Sequence, residues 1–179
     1  GTGTGRGGVL YNDGETTEIN TTLVANSARG SFGEGGAVYH RGPSTSFDSQ
    51  SLDLLNVTIT GNASSNEGGG VYLDGGNVTI ANSIILGNDA LSGSEIGYSF
   101  GTSPAIDLGG NLFGGDVTEV FDATETTAGA DGIAGNADDG LAGVLADNGG
   151  RVQTVALDNS DTNPALDVGT AFSLDADDS

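Results

Sequence analysis

Short runs of β-branched and aliphatic residues recur along the chain, each broken by glycine or asparagine after a few positions. Val71-Tyr-Leu73, Val78-Thr-Ile80 and Ile84-Ile-Leu86 are such runs. Apolar positions packed this closely between turn-forming residues predict short strands joined by tight bends. No window of about eleven residues carries the 3.6-residue period of an amphipathic helix. Lysine, methionine and glutamine, which favour helices, are absent or nearly so.

The runs come back in a fixed order. Gly7-Gly-Val-Leu-Tyr11, Gly35-Gly-Ala-Val-Tyr39 and Gly68-Gly-Gly-Val-Tyr72 share one motif, and Ile96-Gly-Tyr98 is a weaker copy. The four tyrosines lie 28, 33 and 26 residues apart. A second motif sets two asparagines six residues apart: Asn20-Thr-Thr-Leu-Val-Ala-Asn26, Asn56-Val-Thr-Ile-Thr-Gly-Asn62 and Asn82-Ser-Ile-Ile-Leu-Gly-Asn88. A small residue (Ala25, Gly61 or Gly87) precedes the second asparagine each time. The one large irregularity, Arg41 to Gln50, reads as an inserted surface loop.

A repeat of this length, built of short strands and bends, predicts an all-β protein: a right-handed parallel β-helix of three to four coils over residues 1–115. Residues 116–179 form an acidic loop and a C-terminal irregular or β segment that caps or continues it. Equivalent residues then stack about 4.8 Å apart, with Val, Leu and Ile inward. Asn26, Asn62 and Asn88 form a ladder at one bend, where stacked amides satisfy one another and asparagine tolerates a left-handed φ. Glycine supplies positive φ at other bends. Tyr11, Tyr39 and Tyr72 form an aromatic stack that is either structural, ring on ring, or a ligand strip. The competing architecture is an antiparallel sandwich with Asn and Gly as ordinary hairpin-turn residues.

Composition narrows the chemistry. Of 179 residues, 25 are acidic and four are arginine, for a formal charge of −21. Nucleic acid and anionic membranes need clustered cations, so neither is an expected partner. No apolar run approaches the roughly 18 residues of a membrane-spanning helix. With no cysteine and one histidine, disulfides, thiolate metal sites, thiol nucleophiles and multi-histidine metal sites are excluded. Gly1 opens directly into a Gly/Thr stretch, which reads as a mature or excised piece of a longer chain.

Three C-terminal strings complete a family pattern: Leu145-Ala-Asp-Asn-Gly-Gly150, Thr154-Val-Ala-Leu157 and Pro164-Ala-Leu-Asp-Val-Gly169. With the upstream Gly-Gly-x-Val-Tyr and Asn-Val-Thr-Ile-x-Gly-Asn strings, the chain resembles the bacterial extracellular parallel β-helix proteins of the choice-of-anchor or polymorphic-outer-membrane-protein-like type. The resemblance runs over nearly the whole chain. It implies an extracellular or cell-surface location and roles in display, adhesion or envelope structure, with no reaction attached.

Residues 131–139 offer carboxylate and amide oxygens at short spacing. Asp131, Asn136, Asp138 and Asp139, spaced by glycine and alanine, suit a calcium site, with Asp116, Asp122 and Asp147 as further ligands; the alternative is a solvated acidic loop. The order of an EF-hand is missing. Paired carboxylates for glycoside hydrolysis would need two groups facing one cleft, whereas Asp138/Asp139 and Asp177/Asp178 are sequence neighbours. His40, the sole histidine, is read as an exposed turn residue, and Arg151 as a local ion-pair partner of Asp147. The sequons at Asn20, Asn56, Asn62 and Asn77 are read as stacking composition.

No enzymatic activity is expected. The chain reads as a secreted or cell-surface structural or adhesive module, with a filament subunit as one form. Its expected partners are copies of itself or further β-helix of a longer chain, end to end, with surface polysaccharide as an additional candidate. The alternatives are a polysaccharide-acting lyase, hydrolase or depolymerase, and a calcium-dependent carbohydrate-binding module.

Overall fold

The computed structural model describes residues 5–42, 50–100, 106–113, 120–121, 124–126, 141–166 and 169. They are all-β, without helix. The first repeat contributes β1 (Leu10–Asn12), β2 (Glu15–Ile19), β3 (Thr22–Val24) and β4 (Ser27–Ala28). The second contributes β5 (Val38–Arg41), β6 (Ser51–Leu55), β7 (Thr58–Thr60) and β8 (Ala63–Ser64). The third holds β9 (Val71–Asp74), β10 (Asn77–Ala81) and β11 (Ile84–Ile85), and the fourth β12 (Ile96–Tyr98), β13 (Ile106–Asp107) and β14 (Leu112–Phe113).

Each repeat adds one strand to each of three four-stranded sheets, ordered β1-β5-β9-β12, β2-β6-β10-β13 and β3-β7-β11-β14. Every pairing within them is parallel. The hairpin reading of the bends, which requires antiparallel neighbours, is therefore overturned for this part of the chain.

In-register pairing turns sequence repeats into columns. Leu10, Val38, Val71 and Ile96 form one, and Leu23, Ile59, Ile85 and Phe113 another. These residues belong to a single apolar core with Leu52, Leu54, Val78 and Ile80. The first repeat is more polar inside: Thr16 and Glu18 sit in register with Leu52 and Leu54.

The Gly-Gly motif has two separate causes. Gly7, Gly35 and Gly68 adopt φ of 66, 68 and 66°, where any side chain is strained. Gly8 and Gly36 have no room: a Cβ on either would land on the carbonyl of the stacked glycine in the following repeat.

The left-handed bends fall differently from expectation. The first asparagine of each pair takes positive φ, at 55, 55 and 49° for Asn20, Asn56 and Asn82. At the ladder corner that role goes to the small residue before the second asparagine, with φ of 56, 65 and 68° at Ala25, Gly61 and Gly87. Asn26, Asn62 and Asn88 thus keep ordinary backbone geometry and spend their amides on stacking.

The C-terminal strands are antiparallel: β15 (Thr124–Thr126) with β16 (Leu141–Gly143), and β17 (Leu145–Ala146) with β18 (Thr154–Val155). They attach to the flank of the third sheet. Val120, Phe121, Val155, Leu157 and Ala165 form a second apolar cluster on Ile84, Leu86 and Leu112, and Gly143 N donates to Thr60 Oγ1 at 2.9 Å. Asn163 ties this segment together: its Nδ2 donates to Val120 O (3.0 Å) and Asp158 O (2.6 Å). Phe121→Ala is expected to cost about 3 kcal/mol by emptying this small cluster, read as a shift in the urea midpoint.

Candidate functional site

The asparagine column is the best-defined polar feature. Asn26 Nδ2 donates to Asn62 Oδ1 (2.9 Å), and Asn62 Nδ2 to Asn88 Oδ1 (2.8 Å). The same oxygens accept the backbone N–H of Asn26 and Asn62, both at 3.0 Å. The remaining amide hydrogens go to carbonyls in the turn and in the preceding repeat: that of Asn62 Nδ2 is shared between Thr60 O and Leu23 O, and that of Asn88 Nδ2 has Ile59 O within reach. The predicted ladder is present, and its amide-to-amide bonds point one way, from the first repeat toward the third.

A one-way ladder needs an acceptor at its far end, and Glu95 provides it. Asn88 Nδ2 donates to Glu95 Oε2 at 2.6 Å, Asn88 N to the same oxygen at 3.3 Å, and Gly87 N to Oε1 at 2.9 Å. Register puts Glu95 in the column of Ala37 and Gly70, just before Ile96. A Cβ on Gly70 would sit 3.0 Å from Asn88 Nδ2, so the glycine keeps that space clear.

Burial pushes the Glu95 carboxyl up to about 7, against the opposing pull of its bonds from Asn88 and Gly87. A carboxyl raised on folding favours the native state most in acid. That contribution declines as pH climbs from the unfolded value near 4.5 through about 7. Glu95→Gln is expected to flatten stability across that window, as measured by urea titrations at successive pH values.

The tyrosine column is also present. Tyr11 and Tyr39 rings stack at 5.1 Å and 5°, Tyr39 and Tyr72 at 5.4 Å and 21°. Tyr98 is not its fourth member: Gly97 stands opposite Tyr72, and Tyr98 opposite Leu73. A one-residue shift sends a strand side chain to the other face. Tyr39 is fully buried, its hydroxyl donating to Asp74 Oδ2 at 2.8 Å. The Arg6 guanidinium lies 4.8 Å from its ring centroid and pairs with Glu34 at 3.0 Å. Burial and then the Asp74 bond push the Tyr39 hydroxyl well up from its ordinary value. The middle of this stack has no face open to a ligand.

His40 departs from its expected place. It is fully buried on β5, not an exposed turn residue. Strand alternation explains this: Val38 faces the core, Tyr39 faces out, and His40 faces in again. Its Nδ1 meets Asn12 Nδ2 at 3.0 Å, so its partner is an amide rather than the hydroxyl or carboxylate of a catalytic triad.

Asp147 accepts from Gly149 N at 3.0 Å and, among the described residues, makes no ion pair with Arg151. Asp131, Asn136, Asp138 and Asp139 lie outside the described residues, as do Asp116 and Asp122. Among the described residues no three His, Cys, Asp or Glu side chains converge as metal ligands, and no helix is long and apolar enough to cross a membrane.

Comparison with protein-family models, curated proteins and solved structures finds no match to this chain.

Proposed function

We propose that the chain is a right-handed parallel β-helix serving as a secreted or cell-surface structural or adhesive module, of the bacterial extracellular type its motifs resemble. The observation that carries this reading is the continuous asparagine column. Its amides bond to one another and to the backbone, and its end is closed by Glu95. The tyrosine column is committed to packing in the same way. The recurring side chains are thus spent on holding repeats together.

The partners in this reading are further repeats of the same kind, in a second copy or a longer chain, meeting the outer edges of the stack. Unpaired strand edges call for such a cover. Surface polysaccharide is the remaining partner, and calcium at Asp131, Asn136, Asp138 and Asp139 the associated cation.

Incubation with polyuronates and neutral polysaccharides, with and without calcium, tests the reading. No turnover is expected. Turnover abolished by a single aspartate substitution would replace it with a polysaccharide-acting enzyme, and EGTA-sensitive sugar binding without turnover with a calcium-dependent carbohydrate-binding module.

A further inference from the structure

We propose that Asn12 and His40 form an acid-sensitive fastening of the first repeat to the second, released when the imidazole takes up a proton at Nδ1. The geometry fixes which atoms donate. Asn12 Oδ1 accepts from Gly14 N at 3.0 Å, and Asn12 Nδ2 donates to Ser51 O at 2.9 Å. Turning the amide over would set N–H against N–H at Gly14 and oxygen against oxygen at Ser51. The amide therefore presents a donor to His40, and His40 Nδ1 accepts at 3.0 Å.

An accepting Nδ1 makes the neutral imidazole the Nε2–H tautomer. Nε2 is buried and, among the described residues, without a hydrogen-bond partner; it faces Gly76, where an added Cβ would overlap it. A proton on Nδ1 would set two donors face to face and bury a cation whose other N–H is already unmatched. Both are costly inside a protein.

Among the described residues, the charged groups around the corner do not offset this. Asp13, which follows Asn12, is the anion that favours the cation. It is exposed and shared, accepting from Gln50 Nε2 at 2.8 Å and pairing with Arg41 at 3.4 Å. Arg41, on the strand of His40, disfavours a second positive charge. Asp74 on β9 stands in register with Arg41 and takes the Tyr39 hydroxyl. From β6 and the residue just before it the corner receives Ser51 and Gln50, both uncharged. Burial accordingly holds the imidazole below its ordinary value, with Asp13 opposing.

The sign follows. A base depressed on folding lends stability that is complete above its unfolded value, about 6.5, and drains away as pH falls below it. The groups released are those the fastening holds: the Asn12–Gly14 bend and the β2–β6 edge, where Ser51 N donates to Gly14 O at 3.0 Å. In acid the first repeat loosens from the second at this corner.

His40 is the only histidine, so its ring nitrogens are unambiguous in 15N NMR of the intact chain. The expected result is the Nε2–H tautomer at neutral pH and a titration midpoint below about 6.5. Amide exchange at Gly14 and Ser51, corrected for intrinsic rate, should rise by up to about tenfold per pH unit as pH falls from about 6.5 to that midpoint, and level off below it. Asn12→Asp puts an acceptor opposite Nδ1 and is expected to move the midpoint above 6.5 and abolish the acid-induced opening. An Nδ1–H tautomer, a wild-type midpoint at or above 6.5, or protection at Gly14 and Ser51 indifferent to the ring's charge would each overturn the proposal. Should the aspartate variant fail to fold, the wild-type tautomer and midpoint decide it alone.

Discussion

Asn62→Ala is expected to lower folding stability by about 4 kcal/mol, the largest loss among single ladder substitutions. Asn62 is fully buried at the centre of the column. Its Oδ1 accepts two bonds from Asn26, and its Nδ2 donates to Asn88, Thr60 and Leu23. Alanine removes all of these contacts, leaves the Asn26 backbone N–H without its acceptor, and opens space at the corner. A buried group stripped of its partner costs about 1–3 kcal/mol, and more than one is stripped here. Asn26→Ala should cost less, about 1 kcal/mol, because that residue is half-buried at the column's end. Urea unfolding of the three proteins checks both values; equal losses at the two positions would mean the column is not continuous.

Gly36→Ala is expected to cost about 3 kcal/mol or to prevent folding. Its φ is not in the left-handed region, so conformational freedom is not the reason. The added Cβ would strike the Gly69 carbonyl and approach the Ala63 backbone at 2.7–2.8 Å. All of these are main-chain atoms of neighbouring strands and bends, which cannot swing aside as a side chain does. Gly14→Ala is the matched comparison: the nearest atom to its Cβ would be Asn12 Oδ1 at 4.0 Å, and a change within about 0.5 kcal/mol is expected. Thermal melts of the two variants separate a steric requirement from a general preference for glycine.

The parallel stacking was legible because it leaves identical residues at matching positions. Asparagine pairs six residues apart and Gly-Gly-x-x-Tyr strings are visible without coordinates, and both columns stand where they were expected. The handedness of the bends was misassigned because both asparagines of a pair tolerate αL. Only the amide network shows that the second is occupied with its neighbours, while Ala25, Gly61 and Gly87 make the turn.

Glu95 was invisible for the opposite reason. It interrupts the column of Ala37 and Gly70 rather than repeating it, so spacing offers no signal, although the one-way run of amides demands an acceptor at its end. His40 could have been placed inside by following the strand alternation from Val38; proximity to the irregular stretch after Arg41 pointed the other way. Tyr98 copies the tyrosine motif by spacing but sits one residue past the column, because Gly97 takes the register position. After residue 115 the repeats stop, and nothing in the sequence distinguished strands packed on the flank of the third sheet from a cap at the end of the stack.

Successive repeats lie parallel and in register, and a cysteine-pair test addresses that directly. The chain has no cysteine of its own. Thr17 and Asp53 are register partners on adjacent strands, and Thr79 is the next partner beyond Asp53. Strand spacing of about 4.8 Å puts the first pair within disulfide reach and Thr17 with Thr79 at about twice that. Cysteines at 17 and 53 are predicted to join on mild oxidation of the folded protein, while cysteines at 17 and 79 stay apart. Failure of the 17–53 pair to close in the folded protein, or equally ready closure of 17–79, would contradict the stacked-repeat account.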